Sequence, residues 1–332
     1  MLRRVIVRLP NWLGDTVMAV PALRALRDGL PEAQILLAGP WATLLAREHL
    51  GDAVVVYPRG WRSRIATADT VRAFDADTAV LLPNSVEAAL AAVYWGARRR
   101  LGFATGARGF LLSDAVPLPA PRMHQIDEYL RLIAELVVAA AGRVPRLRVP
   151  DPDTAERGAA RRLLVEAGVP SGMSRVGIHV GAAYGSAKVW VRERTVGFCR
   201  LVAAAGHAAV VLGAARDAAF AADVAESSAA ATLAGRDRPE LLPALFAELD
   251  ALVCGDTGVA HLAAALGTPV AALFGPTDPG LTAPRGPVSV IRHAVPCAPC
   301  FYRTCPIDHP CMREITAETV WREVDALLAR TV

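Results

Sequence analysis

Short runs rich in Val, Ile, Leu and Ala alternate with longer amphipathic stretches through the first half of the chain, stop, and then alternate again. Val5 to Leu9, Gln34 to Ala38, Ala53 to Tyr57 and Thr78 to Leu82 read as buried strands bounded by Gly, Pro or Asp. Between and after them, 16–30, 61–74, 85–95 and 125–141 read as helices. This βαβ alternation points to a parallel, doubly wound sheet, since parallel neighbours need a helical crossover. Residues 142–152 carry Pro145, Pro150 and Pro152 with Arg and Val between, a linker composition. Beyond it a helix over 154–167 leads into strands at 176–180, 208–212, 251–254 and 270–274, with helices at 192–205, 216–227, 239–248 and 259–266. The expected fold is α/β: two Rossmann-like domains, 1–150 and 151–332, with a ligand cleft between them beyond the carboxyl ends of the strands. A closing helix over 317–330 is open to packing on either domain.

Bulk properties narrow the partners. A chain of 332 residues is too long for one ordinary core, and 53% apolar with 20% charged residues leaves no room for a large disordered region. The net charge of +4 is mild and spread out, so nucleic acid is not expected, whereas anionic substrates or an anionic membrane surface are compatible with it. Arg8 and Pro10 cut the first apolar run too short for a signal peptide, and no stretch approaches a membrane span of about 20 residues. The expectation is a cytoplasmic protein, at most peripheral to a membrane.

One lysine, Lys188, stands among 36 basic residues, the rest arginine. A bias of that strength, with the alanine excess, looks like a GC-rich genome, which converts any lysine that need only be a surface cation. Lysine differs as a compact ammonium able to act as a point charge on phosphate. Lys188 ends the small-residue run His179-Val180-Gly181-Ala182-Ala183-Tyr184-Gly185-Ser186-Ala187-Lys188, between an expected strand and an expected helix. Loops of that kind hold anions on backbone N–H groups.

Four further clusters carry chemistry. Pro10-Asn11-Trp12-Leu13-Gly14-Asp15-Thr16 follows the first strand and opens the first helix, where the dipole keeps Asp15 ionised and Gly14 allows close ligand approach. Position alone equally allows Asp15 to be a first-turn acid. Cys254-Gly255-Asp256-Thr257-Gly258, with His261 one turn on, repeats the strand, Gly loop, helix order, and Thr257, Gly258 and the amides after them suit phosphate oxygens. Asp217 follows another strand, where an acid binds ribose hydroxyls, although spacing favours an ordinary first-turn acid. Arg59, Arg62 and Arg64 after the third strand offer a grip on an anionic acceptor, while Arg98-Arg99-Arg100 reads as a solvated face. Separately, Cys297, Cys300, Cys305 and Cys311 fall within fifteen residues. That clustering fits structural zinc, reduced thiols or a disulfide, and no open catalytic metal site.

Asn11-Trp12-Leu13-Gly14-Asp15-Thr16-Val17-Met18, Ala182 to Trp190, Gly255-Asp256-Thr257-Gly258 with His261, and Phe274-Gly275-Pro276-Thr277 together resemble the lipopolysaccharide heptosyltransferases, in order over essentially the whole chain. The opening motif and the Cys-rich tail resemble the heptosyltransferase II branch. The resemblance implies a GT-B fold and inverting, metal-independent transfer of heptose from ADP-heptose to the inner core of lipopolysaccharide, an anionic lipid-linked acceptor met at the inner membrane. It implies Asp15 as general base and Lys188 at the leaving diphosphate. Tyr184, Ser186, Asp217, Asp256, Thr257, Gly258 and His261 would complete the donor site with Gly14. Ala183 and Tyr184 stand where some members have Thr-Thr, and Val189 and Val191 replace a basic residue and a proline. The alternatives are a glycosyltransferase with another donor or acceptor, a sugar-nucleotide epimerase, or a sugar-nucleotide sensor.

Overall fold

A computed structural model describes residues 2–138 and 142–330. It contains two compact units, Met1–Pro145 and Arg146–Val332. The first runs β1 (Arg4–Arg8), α1 (Leu13–Met18), α2 (Val20–Gly29), β2 (Gln34–Gly39), β3 (Ala53–Val56), α3 (Trp61–Arg72), β4 (Thr78–Leu81), α4 (Val86–Tyr94), β5 (Arg99–Ala104), β6 (Asp114–Pro117) and α5 (Gln125–Ile133). Its sheet is parallel throughout, in the order β3-β2-β1-β4-β5-β6. Val5, Ile6 and Val7 of β1 are fully buried, as a central strand covered on both faces requires. The strand order reverses between β1 and β4, where Arg8 pairs with Leu81. Ligands of open α/β sheets gather at such a switch point, and here the chain leaving β1 carries Asn11 and Asp15.

The second unit runs α6 (Ala155–Glu166), β7 (Arg175–His179), α7 (Arg192–Ala204), β8 (Ala208–Leu212), α8 (Ala218–Ser228), β9 (Ala231–Thr232), α9 (Leu242–Phe246), β10 (Ala251–Gly255), α10 (Gly258–Leu266), β11 (Val270–Phe274), α11 (Pro279–Thr282), β12 (Val288–Arg292), α12 (Pro310–Arg313) and α13 (Ala317–Ala329). Its parallel order is β12-β11-β10-β7-β8-β9. The switch point lies between β7 and β10, where His179 sits beside Cys254. The two loops leaving it are those that carry Lys188 and Asp256.

Several expectations shift. The helix over 16–30 is broken at Ala19, because Pro21 has no N–H for the carbonyl of Val17, and α1 closes before α2 begins. Arg99 and Arg100 are not a solvated face: they open β5, with Arg99 on Asp114 and Arg100 on the carbonyls of Ala97 and Leu111. The helix expected over 125–141 ends at Ile133, and 139–141 lie outside the described residues. Of the two placements open to α13, the structure has it on α7, burying Val320, Val324 and Leu327 in the cluster that holds Trp190 and Phe198. No helix among the described residues is long and apolar enough to cross a membrane.

Candidate active site

In the first unit, Asp15 is half-buried in the first turn of α1. The loop before it is held largely at Asn11, through both its side chain and its carbonyl. Arg8, fully buried, donates Nη2 to Asn11 Oδ1 at 2.7 Å and Nη1 to the Leu9 carbonyl. Arg64 Nη2 reaches the same Oδ1 at 3.4 Å, and Arg59 Nε donates to the Asn11 carbonyl at 2.9 Å while its guanidinium lies 4.5 Å from the centre of the Trp12 ring. Glu87 balances part of this charge, 2.8 Å from Arg64 and 3.9 Å from Arg8. Burial pulls Arg8 down to about 10, with the Glu87 carboxylate the main influence pushing back. Arg59 and Arg64, expected at an acceptor, therefore already support the Asp15 loop, and Arg62 and Arg64 lie in the first turn of α3. On the other side, burial holds the Tyr129 hydroxyl of α5 protonated, and the nearby Asp15 carboxylate pushes it the same way. The sequence marks Asn11 only as the first residue of the opening motif; its part in gathering the arginines is not visible there.

In the second unit the single lysine is clamped. Lys188 Nζ donates to Asp256 Oδ2 at 2.5 Å and to the Asp256 carbonyl at 3.0 Å, and Thr277 Oγ1 donates to the same Oδ2 at 2.7 Å. Gly255 must be glycine here, since a Cβ would stand 2.4 Å from the Lys188 carbonyl oxygen. The ammonium also lies 4.7 Å from the centre of the Tyr184 ring. Thr257, the N-cap of α10, makes no capping bond, and its buried Oγ1 has no nitrogen or oxygen partner, only the Cys254 thiol nearby. Such a hydroxyl at the start of a nine-residue helix, beside a buried ammonium, is suited to an anionic oxygen. His261 is buried one turn into α10. Gly258 is the first residue of that helix, and Ser186 stands in the 3-10 turn that ends at Lys188. Asp217 spends Oδ2 on the Ala214 amide, a local capping role.

The Cys-rich segment forms the floor of the Lys188 loop. The Arg303 carbonyl accepts the Ala187 N–H at 3.0 Å, and the Tyr184 hydroxyl donates to the Phe301 carbonyl at 2.5 Å. A Cβ on Gly185 would collide with Arg303 at 2.2 Å. The Arg303 guanidinium lies 5.3 Å from the centre of the Tyr184 ring, a second cation on the aromatic that Lys188 meets. Sequence reasoning misses Arg303 because it lies 115 positions beyond Lys188 in a run read only for its cysteines. Cys297, Cys300, Cys305 and Cys311 carry free thiols, close enough that the other three add to burial in raising the Cys311 pKa. Among the described residues no group of three or more His, Cys, Asp or Glu side chains is arranged to hold a metal.

Beside this site two buried groups titrate in opposition. Burial lowers His179 to about 4 and raises Asp237 to about 6. Between His179's folded value and its unfolded value of 6.5, the unfolded chain binds a proton that the folded one refuses, so stability falls as pH drops through that window. Asp237 retains a proton that the unfolded chain, with its value of 3.8, has lost, so its contribution falls as pH rises towards 6. Each amounts to about 3 kcal/mol, and they nearly cancel. The wild-type melting temperature should be almost level from about pH 4 to pH 6.5. In Asp237→Asn, which can still accept the Gly213 N–H, melting should drop by roughly 5–10 °C on acidification across that window. A level profile in the variant would refute the pairing.

A sequence profile for glycosyltransferase family 9 (heptosyltransferase) matches residues 64–310, well over half of the chain. The chain belongs to glycosyltransferase family 9. The family 9 match takes in Lys188, Asp256, Arg303 and the cysteines Cys297 to Cys305, and begins after Asp15. Among curated relatives, lipopolysaccharide heptosyltransferase 2 of Salmonella typhimurium is 29% identical over 297 residues, 85% of each chain. Lipopolysaccharide heptosyltransferase 2 of Escherichia coli is 26% identical over 98% of each chain, which brings the Asp15 region into the likeness. The solved structure of E. coli ADP-heptose LPS heptosyltransferase II superposes with a TM-score of 0.81 at 26% identity, covering 99% of both chains. E. coli heptosyltransferase WaaC with ADP gives 0.72 at 19% identity over 98% of this chain and 99% of that one, a likeness of fold. This family 9 protein is a glycosyltransferase of the GT-B fold.

Proposed function

We propose that this enzyme moves heptose from ADP-heptose to the inner core of lipopolysaccharide, with inversion and without a divalent metal ion. What carries the reading is the clamp on Lys188, which holds a lone compact cation at a sheet switch point beside an uncapped helix N-terminus. Relatives named lipopolysaccharide heptosyltransferase 2 support the donor and acceptor. In the proposed step the Asp15 carboxylate takes the proton of the acceptor hydroxyl. The acceptor oxygen bonds to the anomeric carbon on the face opposite the nucleotide, and the bond from that carbon to the β-phosphate oxygen breaks. Lys188, Thr257 and the first amides of α10 receive the charge that develops on departing ADP, the role a metal ion fills elsewhere. Asp256 sets the ammonium in place, and because it also cancels Lys188's charge, Arg303 supplies the further positive charge that a diphosphate demands. Tyr184, Ser186, Gly258 and His261 line the donor side in this reading, Asp217 lies towards the ribose, and Gly14 lets the donor approach Asp15.

Purified protein incubated with ADP-heptose and a heptosylated Kdo-lipid A acceptor should release ADP and add one heptose to the acceptor, equally with and without chelator. ADP-heptose consumed without acceptor would replace the reading by an epimerase. Transfer abolished by chelator and restored by a divalent ion would overturn metal independence alone.

A further inference from the structure

Helix α4 is apolar on two faces, and only one is used. Ala88, Ala89, Ala92 and Trp95, at its C-cap, face the sheet and are buried. Val86, Leu90, Val93 and Tyr94, at i, i+4, i+7 and i+8, form a second stripe that is exposed, Leu90 at 53%. A helix apolar all round is ordinarily enclosed, so this second face lacks a partner within the described chain. The stripe widens on both flanks. On α3, packed alongside, Asp69 accepts the Tyr94 hydroxyl at 2.6 Å, and one turn earlier Ile65 is exposed. The 3-10 turn Gly106–Leu111, which also packs on α4, adds Phe110, 80% exposed. Clustered apolar exposure of this kind marks an interaction surface, whereas scattered single residues need no explanation.

The charge around the patch indicates what covers it. Residues 59–100 hold seven arginines against four acids. Arg64 is paired with Glu87 and Arg99 with Asp114, and Asp69, hydrogen-bonded by the Tyr94 hydroxyl, keeps its charge; at the patch itself Arg72 lies 5.2 Å from the centre of the Tyr94 ring and Arg98 is exposed just past α4. A second copy docked here by a twofold axis would bring this arginine rim against itself. Apolar side chains within a cationic rim suit the interface of an anionic bilayer, where the first enter the acyl boundary and the second meet phosphate. The patch also adjoins the site: Val86 precedes Glu87, which pairs with Arg64, which donates to Asn11 of the Asp15 loop.

We infer that the exposed face of α4, with Ile65 and Phe110, is the surface by which this protein sits on an anionic lipid bilayer. This rests on the reading above only in that a lipid-linked acceptor gives the surface its use; binding itself is scored with neither donor nor acceptor present. The full chain is floated with vesicles of phosphatidylethanolamine and phosphatidylglycerol, and separately with phosphatidylcholine alone. The expected result is partition onto the anionic vesicles that weakens with salt and on phosphatidylcholine. It should fall about tenfold or more in Leu90→Glu/Phe110→Glu, with unchanged melting temperature and unchanged transfer to detergent-dispersed acceptor. A milder pair, Arg72→Gln/Arg98→Gln, should lose binding to the anionic vesicles while leaving phosphatidylcholine binding as it was. Absence of vesicle binding by the wild type, or wild-type binding by both double variants, overturns the inference. So does a concentration-dependent dimer that Leu90→Glu/Phe110→Glu abolishes, since the face would then belong to a second copy.

Discussion

Replacing Asp15 by Ala is expected to lower kcat by about a thousandfold while ADP affinity stays within about a factor of two of wild type. The separation follows from the fold. Asp15 belongs to the unit built on β1, and the Lys188 clamp, α10 and Arg303 all belong to the other. A base that abstracts the acceptor proton acts in the transition state, so its loss should appear in kcat with donor KM little changed. Asp15→Asn tests the same point with the shape retained; it too should be inactive, because an amide cannot take the proton. Melting should move little in either, since Asn11 and its three arginines hold the loop independently of the carboxylate. Single-turnover transfer at the wild-type rate by Asp15→Ala would end the assignment.

The second large effect is expected at the lysine. Lys188→Ala should cost about 100- to 1000-fold in kcat, the usual scale for removing a preorganised group at a developing negative charge. It also strands Asp256, a carboxylate only 6% exposed, so the variant should lose stability as well as turnover. Lys188→Arg separates charge from geometry. The ammonium has one carboxylate oxygen of Asp256 at 2.5 Å and the Asp256 main-chain carbonyl at 3.0 Å, two acceptors on one residue converging on a single point. A planar fork does not fit that arrangement, so turnover should still fall by about tenfold or more. Arg303→Ala should instead raise donor KM with a smaller effect on kcat, because its guanidinium attracts the diphosphate without clamping it. Steady-state kinetics on the three variants decide the matter. Wild-type kinetics in Lys188→Arg would mean that any cation suffices.

The alternation of strands and helices was readable because a central parallel strand must be apolar on both faces, and Val5 to Val7 or Val270 to Phe274 admit little else. The strands that escape are edge strands or begin with charge. β5 opens on arginines whose partners, Asp114 and the carbonyls of Ala97 and Leu111, come together only in the fold, and β9 is two residues long. At the site, loops leaving strands are visible in sequence because small residues and glycine are needed there. The supports are not. Nothing local says that Asn11 gathers Arg8, Arg59 and Arg64, or that the carbonyl of Arg303 closes a turn ending in Lys188. Those are long-range hydrogen bonds, and hydrogen bonding leaves no periodic pattern of residues to read.

The floor beneath the Lys188 loop has a bearing on how the protein comes into being. Tyr184 and Phe301, bonded to one another, lie 117 residues apart. At ribosomal speeds that interval is on the order of ten seconds. By its end the residues of β7, α7, β8 and α10 have all been made, yet the loop that should grip a nucleotide still lacks the backbone oxygen that shapes it. Nucleotide sugar in the surrounding solution therefore cannot steady the half-made unit, since a ligand stabilises only a state that binds it. The nascent protein must reach Phe301 with no bound nucleotide to steady it.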